Sequence, residues 1–430
     1  MKTAKVIIGG GYGDEGKGLF TDYLSARADH NTCVARFNGG AQAGHTVETH
    51  DGKRHVFSHF SSGSFAGLPT FLSSFYVCSP ITFLREREQL LKFNLEPDVY
   101  ADETCPVTTP YDMMINQIVE QARGAKRHGS VGVGFGETLE RQTHKGYALS
   151  LSDLDNTEAL RSHLDLIRQH WVPARLAALG VKDISAEWME RINSDAIREH
   201  YMEDVARFLA HIKLVPSTRL AAWDHVIFEG AQGLLLDQDY GAFPHVTRSN
   251  TGLKNVVQLA KQVGLGELDI YYLTRSYVTR HGAGPMSHEL PEQPYVGIID
   301  KTNRPHPYQG SLRFGWLDLD VLCRAVKHDM GSQKTSITLR PHLAMSCLDQ
   351  IDHNATYILG GETKTASPDA LLAITQRELG ATTSLASYGP TQETIRERGN
   401  ATKRFSNPDR RYRSFESLDI AQNNLVAAVS

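Results

Sequence analysis

Lys5-Val6-Ile7-Ile8-Gly9-Gly10-Gly11-Tyr12-Gly13-Asp14-Glu15-Gly16-Lys17-Gly18 is the stretch on which the fold turns. Val6-Ile7-Ile8 is a short, unbroken apolar run, the pattern of a strand buried on both faces of a parallel sheet. Glycines stop it, and a helical pattern begins near Leu19. Strand, glycine loop and helix start, in that order, make an anion cradle, because backbone N–H groups of the loop and of the helix N-terminus converge on one phosphate. Gly11 to Lys17 satisfies the phosphate-loop spacing GxxxxGK, but Gly18 stands where that loop carries Ser or Thr to ligate magnesium. The loop is therefore a modified one. Asp14 and Glu15 are unusual in it as well, since two carboxylates repel a phosphate unless a cation or a proton transfer uses them.

Similar runs recur outward from this point: TCVARF from Thr32, HVIFEG from His225, LDIYYLT from Leu268, HLAMSCLD from His342 and ATYILGG from Ala355. Each reads as a buried strand ending near glycine or polar residues, with helical patterns between. The expectation is an α/β fold with a central, mostly parallel sheet and flanking helices. From about Ser152 to Lys213 the chain turns charged and helix-periodic with no strand candidate, which predicts a helical insertion. The last thirty residues, about 400–430, read as a basic, proline-containing tail with a short terminal helix, and 1–430 as one domain.

Composition narrows the function. The chain has 430 residues, 40% of them hydrophobic, enough apolar surface for a large core. Lys+Arg 45 against Asp+Glu 49 gives a net charge of -4 with no long like-charge block, so neither a nucleic acid nor an anionic membrane is an expected partner. No apolar stretch reaches a membrane-spanning length, and the N-terminal run breaks into glycines too early for a secretory segment; the expected location is the cytoplasm. Cys33, Cys78, Cys105, Cys323 and Cys347 are scattered, form no CxxC pair, and read as reduced packing residues.

Two further clusters carry chemistry. Asn38-Gly39-Gly40-Ala41-Gln42-Ala43-Gly44-His45-Thr46 places a histidine in a small-residue loop that a ligand can approach closely. Phe228-Glu229-Gly230-Ala231-Gln232-Gly233, with Leu235-Leu236-Asp237 and Val246-Thr247-Arg248-Ser249-Asn250-Thr251 beyond it, is a strand end rich in amide and hydroxyl donors suited to a phosphate or a base edge.

Taken in order, these segments resemble the adenylosuccinate synthetases, which join aspartate to inosine monophosphate (IMP) at the expense of GTP. The GDEGKG loop is Gly13 to Gly18, the AGHT segment lies within Gln42 to Thr46, and the EGAQG and SNT elements lie between Glu229 and Thr251. Thr279-Arg280-His281-Gly282-Ala283-Gly284-Pro285, Gly315-Trp316-Leu317-Asp318, Leu348-Asp349 and Ser387-Tyr388-Gly389-Pro390 follow in family order. GxxxxGK alone is a weak signal, whereas the ordered set from about Lys5 to Glu397 is specific.

The resemblance implies roles. Asp14 would be the base that takes the N1 proton of the hypoxanthine ring, and would hold one Mg2+ per subunit together with the Gly44 carbonyl. His45 would act as acid and donor at the oxygen where charge develops, and Lys17 would reach the GTP phosphates. A free carboxylate is a feeble base for so weak an acid, so proton removal must be coupled to phosphorylation of O6, giving 6-phosphoryl-IMP. Glu15, Gly16, Gln42, Ala43, Gln232 and Thr247 would join the IMP site. Gly13, Gly18 and Thr46 would join the GTP site with Cys347, Leu348, Asp349, Ser387, Tyr388 and Gly389. Asp349 would accept from the N1 and N2 donors of guanine, a pair that adenine lacks. GTP would be the co-substrate, and a homodimer with shared active sites the assembly.

Some positions depart from the family. A phosphate-binding threonine falls on Val131, where Ser130 is the neighbouring hydroxyl; the arginine that crosses the dimer interface falls near His144 and Lys145; and Cys347 replaces a lysine that flanks the guanine ring. The loop before Gly315 is short, leaving Arg313, Arg304, Gly310 and Ser311 as candidates to bind the amino acid. One guanidinium pairs one carboxylate bidentately, and aspartate presents two. Two other readings therefore stay open: the same chemistry on another purine nucleotide such as (d)GMP, or with another amine, and a GTP-binding regulatory protein without ligase activity. Asp14 favours IMP over the phage-type branch, which carries Ser there.

Overall fold

Val6 and Ile8 point into one core and Ile7 into another, which is why the run Val6-Ile7-Ile8 is apolar without alternation. That strand, Thr3–Gly9, lies near the middle of a ten-stranded sheet. The structure is a computed structural model that describes residues 3–124, 129–299 and 311–399. On one side the first strand pairs in parallel with His225–Gly233, then come Thr32–Arg36, Thr70–Leu72, Val99–Ala101 and Lys213–Leu214. On the other side it pairs with Glu267–Arg275, followed by Thr338–Ser346, Thr383–Ser387 and Ile395–Gly399. Only the last pair is antiparallel. The chain is thus an α/β protein with a large, mostly parallel sheet and helices on its faces, as the sequence leads one to expect.

Parallel strands deliver their C-terminal ends to one edge, where such sheets bind ligands. The loops after Gly9, Arg36, Gly233, Arg275, Ser346 and Ser387 all leave from that edge. The stretch expected to be a helical insertion is helical: a short turn at Leu151–Asp153, then helices including Thr157–Leu166 and Asp195–Leu209, up to the two-residue strand Lys213–Leu214. Leu160, Leu164, Trp171, Tyr201, Val205 and Phe208 from this stretch share a second core with Leu72, Val99 and Ala101.

One strand expectation needs correction. Ala355–Leu359 is a strand, but it belongs to a separate three-stranded sheet with Leu317–Asp318 and Glu362–Ala366. Apolar content shows that a strand is buried, not which sheet it joins. Residues Met1–Asn400 form one compact unit. The expected tail and terminal helix at about 400–430 lie outside the described residues. Cys33, Cys78 and Cys105 are buried free thiols, and Cys323 and Cys347 are free and partly exposed. Among the described residues no helix is long and apolar enough to cross a membrane.

Candidate active site

The two acids of the glycine loop go opposite ways. Glu15 turns inward, where its Oε1 accepts from the backbone N–H groups of Gly11 (3.0 Å) and Gly13 (2.7 Å). Lys17 Nζ lies 3.3 Å from the other oxygen and donates to the Gly13 carbonyl at 2.7 Å. Both side chains are buried. Loop N–H groups and a lysine thus neutralise one carboxylate from within. The turn needs glycine at Gly13 and Gly16, whose φ values are +113° and +90°. Asp14 faces outward, with Oδ2 3.5 Å from His281 Nε2 and its backbone carbonyl accepting from Arg275 Nε.

Gly18 opens the helix that starts at Lys17, and a Cβ there would stand 2.5 Å from the Thr46 carbonyl oxygen. The strand His45–Glu48 lies so close to this helix that no Ser or Thr fits. The usual hydroxyl ligand of a phosphate loop is therefore excluded by packing. Ser346, at the end of its strand, donates to the Glu15 carbonyl (3.1 Å), which ties the region of Cys347 and Asp349 to the loop.

His45 begins its strand almost fully buried, with Nδ1 2.7 Å from Glu229 Oε1. Ser62 donates to Glu229 through both its hydroxyl and its backbone N–H, and Arg36 lies 3.9 Å away. Burial alone would raise the Glu229 carboxyl, but His45, Arg36 and Ser62 outweigh it and hold it down to about 2. Burial, then Arg36, push His45 down to about 4 against the opposing pull of Glu229. At neutral pH the ring is uncharged, gives its Nδ1–H to Glu229, and carries a lone pair on Nε2.

That Nε2 is buried and has no partner among the described residues. The same holds for both amide atoms of Gln42, for Thr46 Oγ1 and for Gln232 Oε1. Buried polar atoms are nearly always satisfied, so their concentration in the segments 42–46 and 229–233 marks a place for a polar ligand. Asn38 joins the two segments through paired hydrogen bonds with Ala231, 3.0 and 2.7 Å. Gln232 is itself held at φ +63°.

Other expected residues stand as follows. Thr247 is partly exposed, its N–H bonded to the Leu236 carbonyl. The Ser130 hydroxyl donates to Asn116 and accepts from the Gly132 N–H, and so serves its own turn beside the partly exposed Val131. His144 and Lys145 are exposed, with His144 packed on Trp171. Cys347 adopts φ +64°, and Asp349 just beyond it is exposed, its carboxyl raised by partial desolvation. Tyr388 bonds Asp369, and Ser387 bonds the Gly389 carbonyl. Ala43 is buried beside Gly44, and Leu348 is buried under Asp349. Ser311 is exposed, while Arg304 and Gly310 lie outside the described residues. Arg313 is fully engaged: its fork holds Glu289, and Nη1 donates to the Gly282 and Gly284 carbonyls.

Glu229, Arg36, Ser62 and His281 carry no role in the sequence reading. A signal did exist for the first two, since a single charge inside the apolar runs VIFEG and VARF must find a partner when buried. His281 stands within the landmark Thr279 to Pro285 without a role of its own, and Ser62 is marked by nothing local.

A phosphate loop at the ligand edge of a parallel sheet, beside a buried histidine–carboxylate pair, defines the chain as a phosphate-handling α/β enzyme. Its sequence matches the adenylosuccinate synthetase family model over residues 6–396. It is 32% identical over 328 residues to the adenylosuccinate synthetase of Neisseria gonorrhoeae, covering 75% of this chain and 73% of that one, and 30% identical over 392 residues to that of Bordetella petrii, covering 88% and 86%. The fold is similar to the fully ligated adenylosuccinate synthetase of Plasmodium falciparum, with TM-score 0.68 at 19% identity over 91% of this chain and 98% of that one. It is also similar to the cyanophage S-2L succinoaminodeoxyadenylate synthetase bound to dGMP and dATP, with TM-score 0.60 at 15% identity over 93% and 96%. The chain belongs to the adenylosuccinate synthetase family, and is thus a carbon–nitrogen ligase.

Proposed function

We propose that the protein ligates L-aspartate to IMP with GTP, yielding adenylosuccinate, GDP and phosphate through 6-phosphoryl-IMP. The observation that carries this reading is the unpartnered Nε2 of His45, backed by Glu229 and set among the orphaned amides of Gln42 and Gln232. Asp14, facing outward, takes the N1 proton. As the anionic phosphoryl group arrives, the His45 ring takes up a proton from solvent and donates Nε2–H to a phosphoryl oxygen, and the ionised Glu229 stabilises the imidazolium that results. Lys17, anchored to the Gly13 carbonyl, stands beside the loop through which the phosphates are held. Asp349 reads the guanine edge, with Ser387, Tyr388 and Gly389 beside it.

The oxygen donors suit a hard cation: with the loop hydroxyl excluded at Gly18, the Asp14 carboxylate and the Gly44 carbonyl are the groups that would hold Mg2+. When bound, the cation neutralises charge on the phosphates. The protein acts in the cytoplasm as a homodimer in which His144 and Lys145 of each subunit stand where the chain crosses to the other subunit's IMP phosphate site.

Crossing IMP, GMP and dGMP with GTP and ATP and a panel of amino acids, with products read by mass spectrometry, tests the proposal. An aspartyl adduct of IMP formed with GTP is the expected product. An adduct formed only from GMP or dGMP, or only with another amine, overturns the substrate assignment; GTP hydrolysis indifferent to IMP and aspartate overturns the ligase reading.

A further inference from the structure

Arg313 sits on the strand Arg313–Gly315, between Val278–Arg280 and Glu289–Leu290. Its guanidinium holds the Glu289 carboxylate in a two-bond fork, with Nε to Oε1 at 2.7 Å and Nη2 to Oε2. Nη1 is anchored separately, to the carbonyls of Gly282 (3.0 Å) and Gly284 (2.9 Å). The turn carrying those carbonyls is fastened to the glycine loop, because Tyr12 donates to the Pro285 carbonyl at 3.0 Å. The fork therefore stands at a fixed place beside the loop, whatever fills it.

Three features make its occupant exchangeable. The side chains of Arg313 and Glu289 are 27% and 40% exposed, so a carboxylate from solution reaches the pair, and ion pairs this open to water are held weakly. The two carbonyl anchors keep the guanidinium oriented when Glu289 leaves. Arg280 is the direct cross-strand neighbour of Arg313, so two guanidiniums face one carboxylate and favour a second.

We propose that Glu289 sets the affinity of the amino-acid site for dicarboxylates, as a resident carboxylate that an incoming dicarboxylic amino acid must displace from the Arg313 fork. This rests on the reading that the protein ligates such an amino acid to a purine nucleotide. The cost of displacement falls only on a ligand whose second carboxylate enters the fork; a monocarboxylate leaves Glu289 in place.

Binding of L-aspartate, succinate and L-alanine to the full chain, measured by calorimetry with IMP and GDP present, tests the proposal for the wild type, Glu289→Gln and Glu289→Asp. Freeing the fork should tighten both dicarboxylates about two- to five-fold in Glu289→Gln, the scale of an exposed ion pair, and leave alanine unchanged. Glu289→Asp keeps the charge but shortens the reach, and should also bind more tightly than the wild type. If Glu289→Asp matches the wild type while Glu289→Gln tightens, the effect is one of charge alone and the exchange is refuted. Unchanged or weaker dicarboxylate binding in both variants makes Glu289 a strut for Arg313, and binding by none of the three proteins likewise overturns the proposal. The ligase reading is judged separately, by whether wild-type protein forms a purine adduct with any amine.

Discussion

His45 gives its Nδ1–H to Glu229 across 2.7 Å, while its Nε2 is buried with no partner among the described residues. The carboxylate fixes the tautomer and stands ready to stabilise a charged ring. Glu229→Gln keeps a hydrogen-bond acceptor but removes that charge. Turnover should fall at least about 10-fold with little change in the KM for GTP. Loss of the charged partner of Arg36 and Ser62 should also cost about 1–3 kcal/mol of stability, read by urea denaturation. Wild-type turnover in this variant would show that the reaction does not depend on a charged imidazole at His45.

Asp14 faces the ligand edge, whereas Glu15 is built into the loop. Asp14→Asn should therefore lower turnover about 100-fold or more while leaving the melting temperature near that of the wild type. Glu15→Gln should reverse the pattern and lower the melting temperature, since Lys17 and two backbone N–H groups lose their carboxylate. Steady-state rates and thermal melts on the two variants separate these roles.

Asp349 is exposed in the short turn Leu348–Gln350 that follows the strand Thr338–Ser346, with its carboxyl raised by partial desolvation. Asp349→Asn can no longer accept both donors of guanine, so the preference for GTP over ATP should shrink about 10-fold or more. The ratio of kcat/KM for the two nucleotides measures it, and an unchanged ratio would place base recognition elsewhere.

Gly18→Ser restores the sequence of an ordinary phosphate loop but not its function. Its Cβ would stand 2.5 Å from the Thr46 carbonyl oxygen. We expect a loss of about 1–3 kcal/mol from overpacking, with no gain in magnesium affinity. Tighter apparent Mg2+ binding in rate measurements would show that the strand His45–Glu48 yields.

Asp22, in the helix behind the loop, is fully buried, and neither of its carboxyl oxygens has a hydrogen-bond partner among the described residues. Burial, reinforced by Glu393, raises its carboxyl from 3.8 to about 7. Between those pH values the folded state binds more protons than the unfolded chain, so this group's contribution falls as pH rises through that window. Asp22→Asn should be more stable than the wild type at pH 8 by on the order of a few kcal/mol, with the gap closing toward pH 4. Denaturation curves at several pH values decide it, and a gap that does not vary with pH would exclude Asp22 as the titrating group.

The glycine loop was legible because its chemistry is local: one run of residues supplies the strand, the left-handed turns at Gly13 and Gly16, and the helix start. Glu229 was quoted as part of a motif without a role, since its partner lies 184 positions away and only the sheet brings them together. Thr70–Leu72 and Val99–Ala101 escaped notice because three residues cannot display a period. The expectation that Arg313 would bind a ligand carboxylate took account of its charge and its closeness to Trp316. A sequence gives no sign that Glu289 would already fill the fork.

A ten-stranded open sheet leaves two rows of backbone groups on which another chain could polymerise. One border here is only two residues long, Lys213–Leu214, too brief to template a second molecule. The other, Ile395–Gly399, exposes Arg396, Glu397 and Arg398 in succession, so an approaching strand would have to strip water from three charges to dock. The wide sheet that gathers so many loops at one edge thus offers an approaching strand little to pair with, without being closed into a barrel.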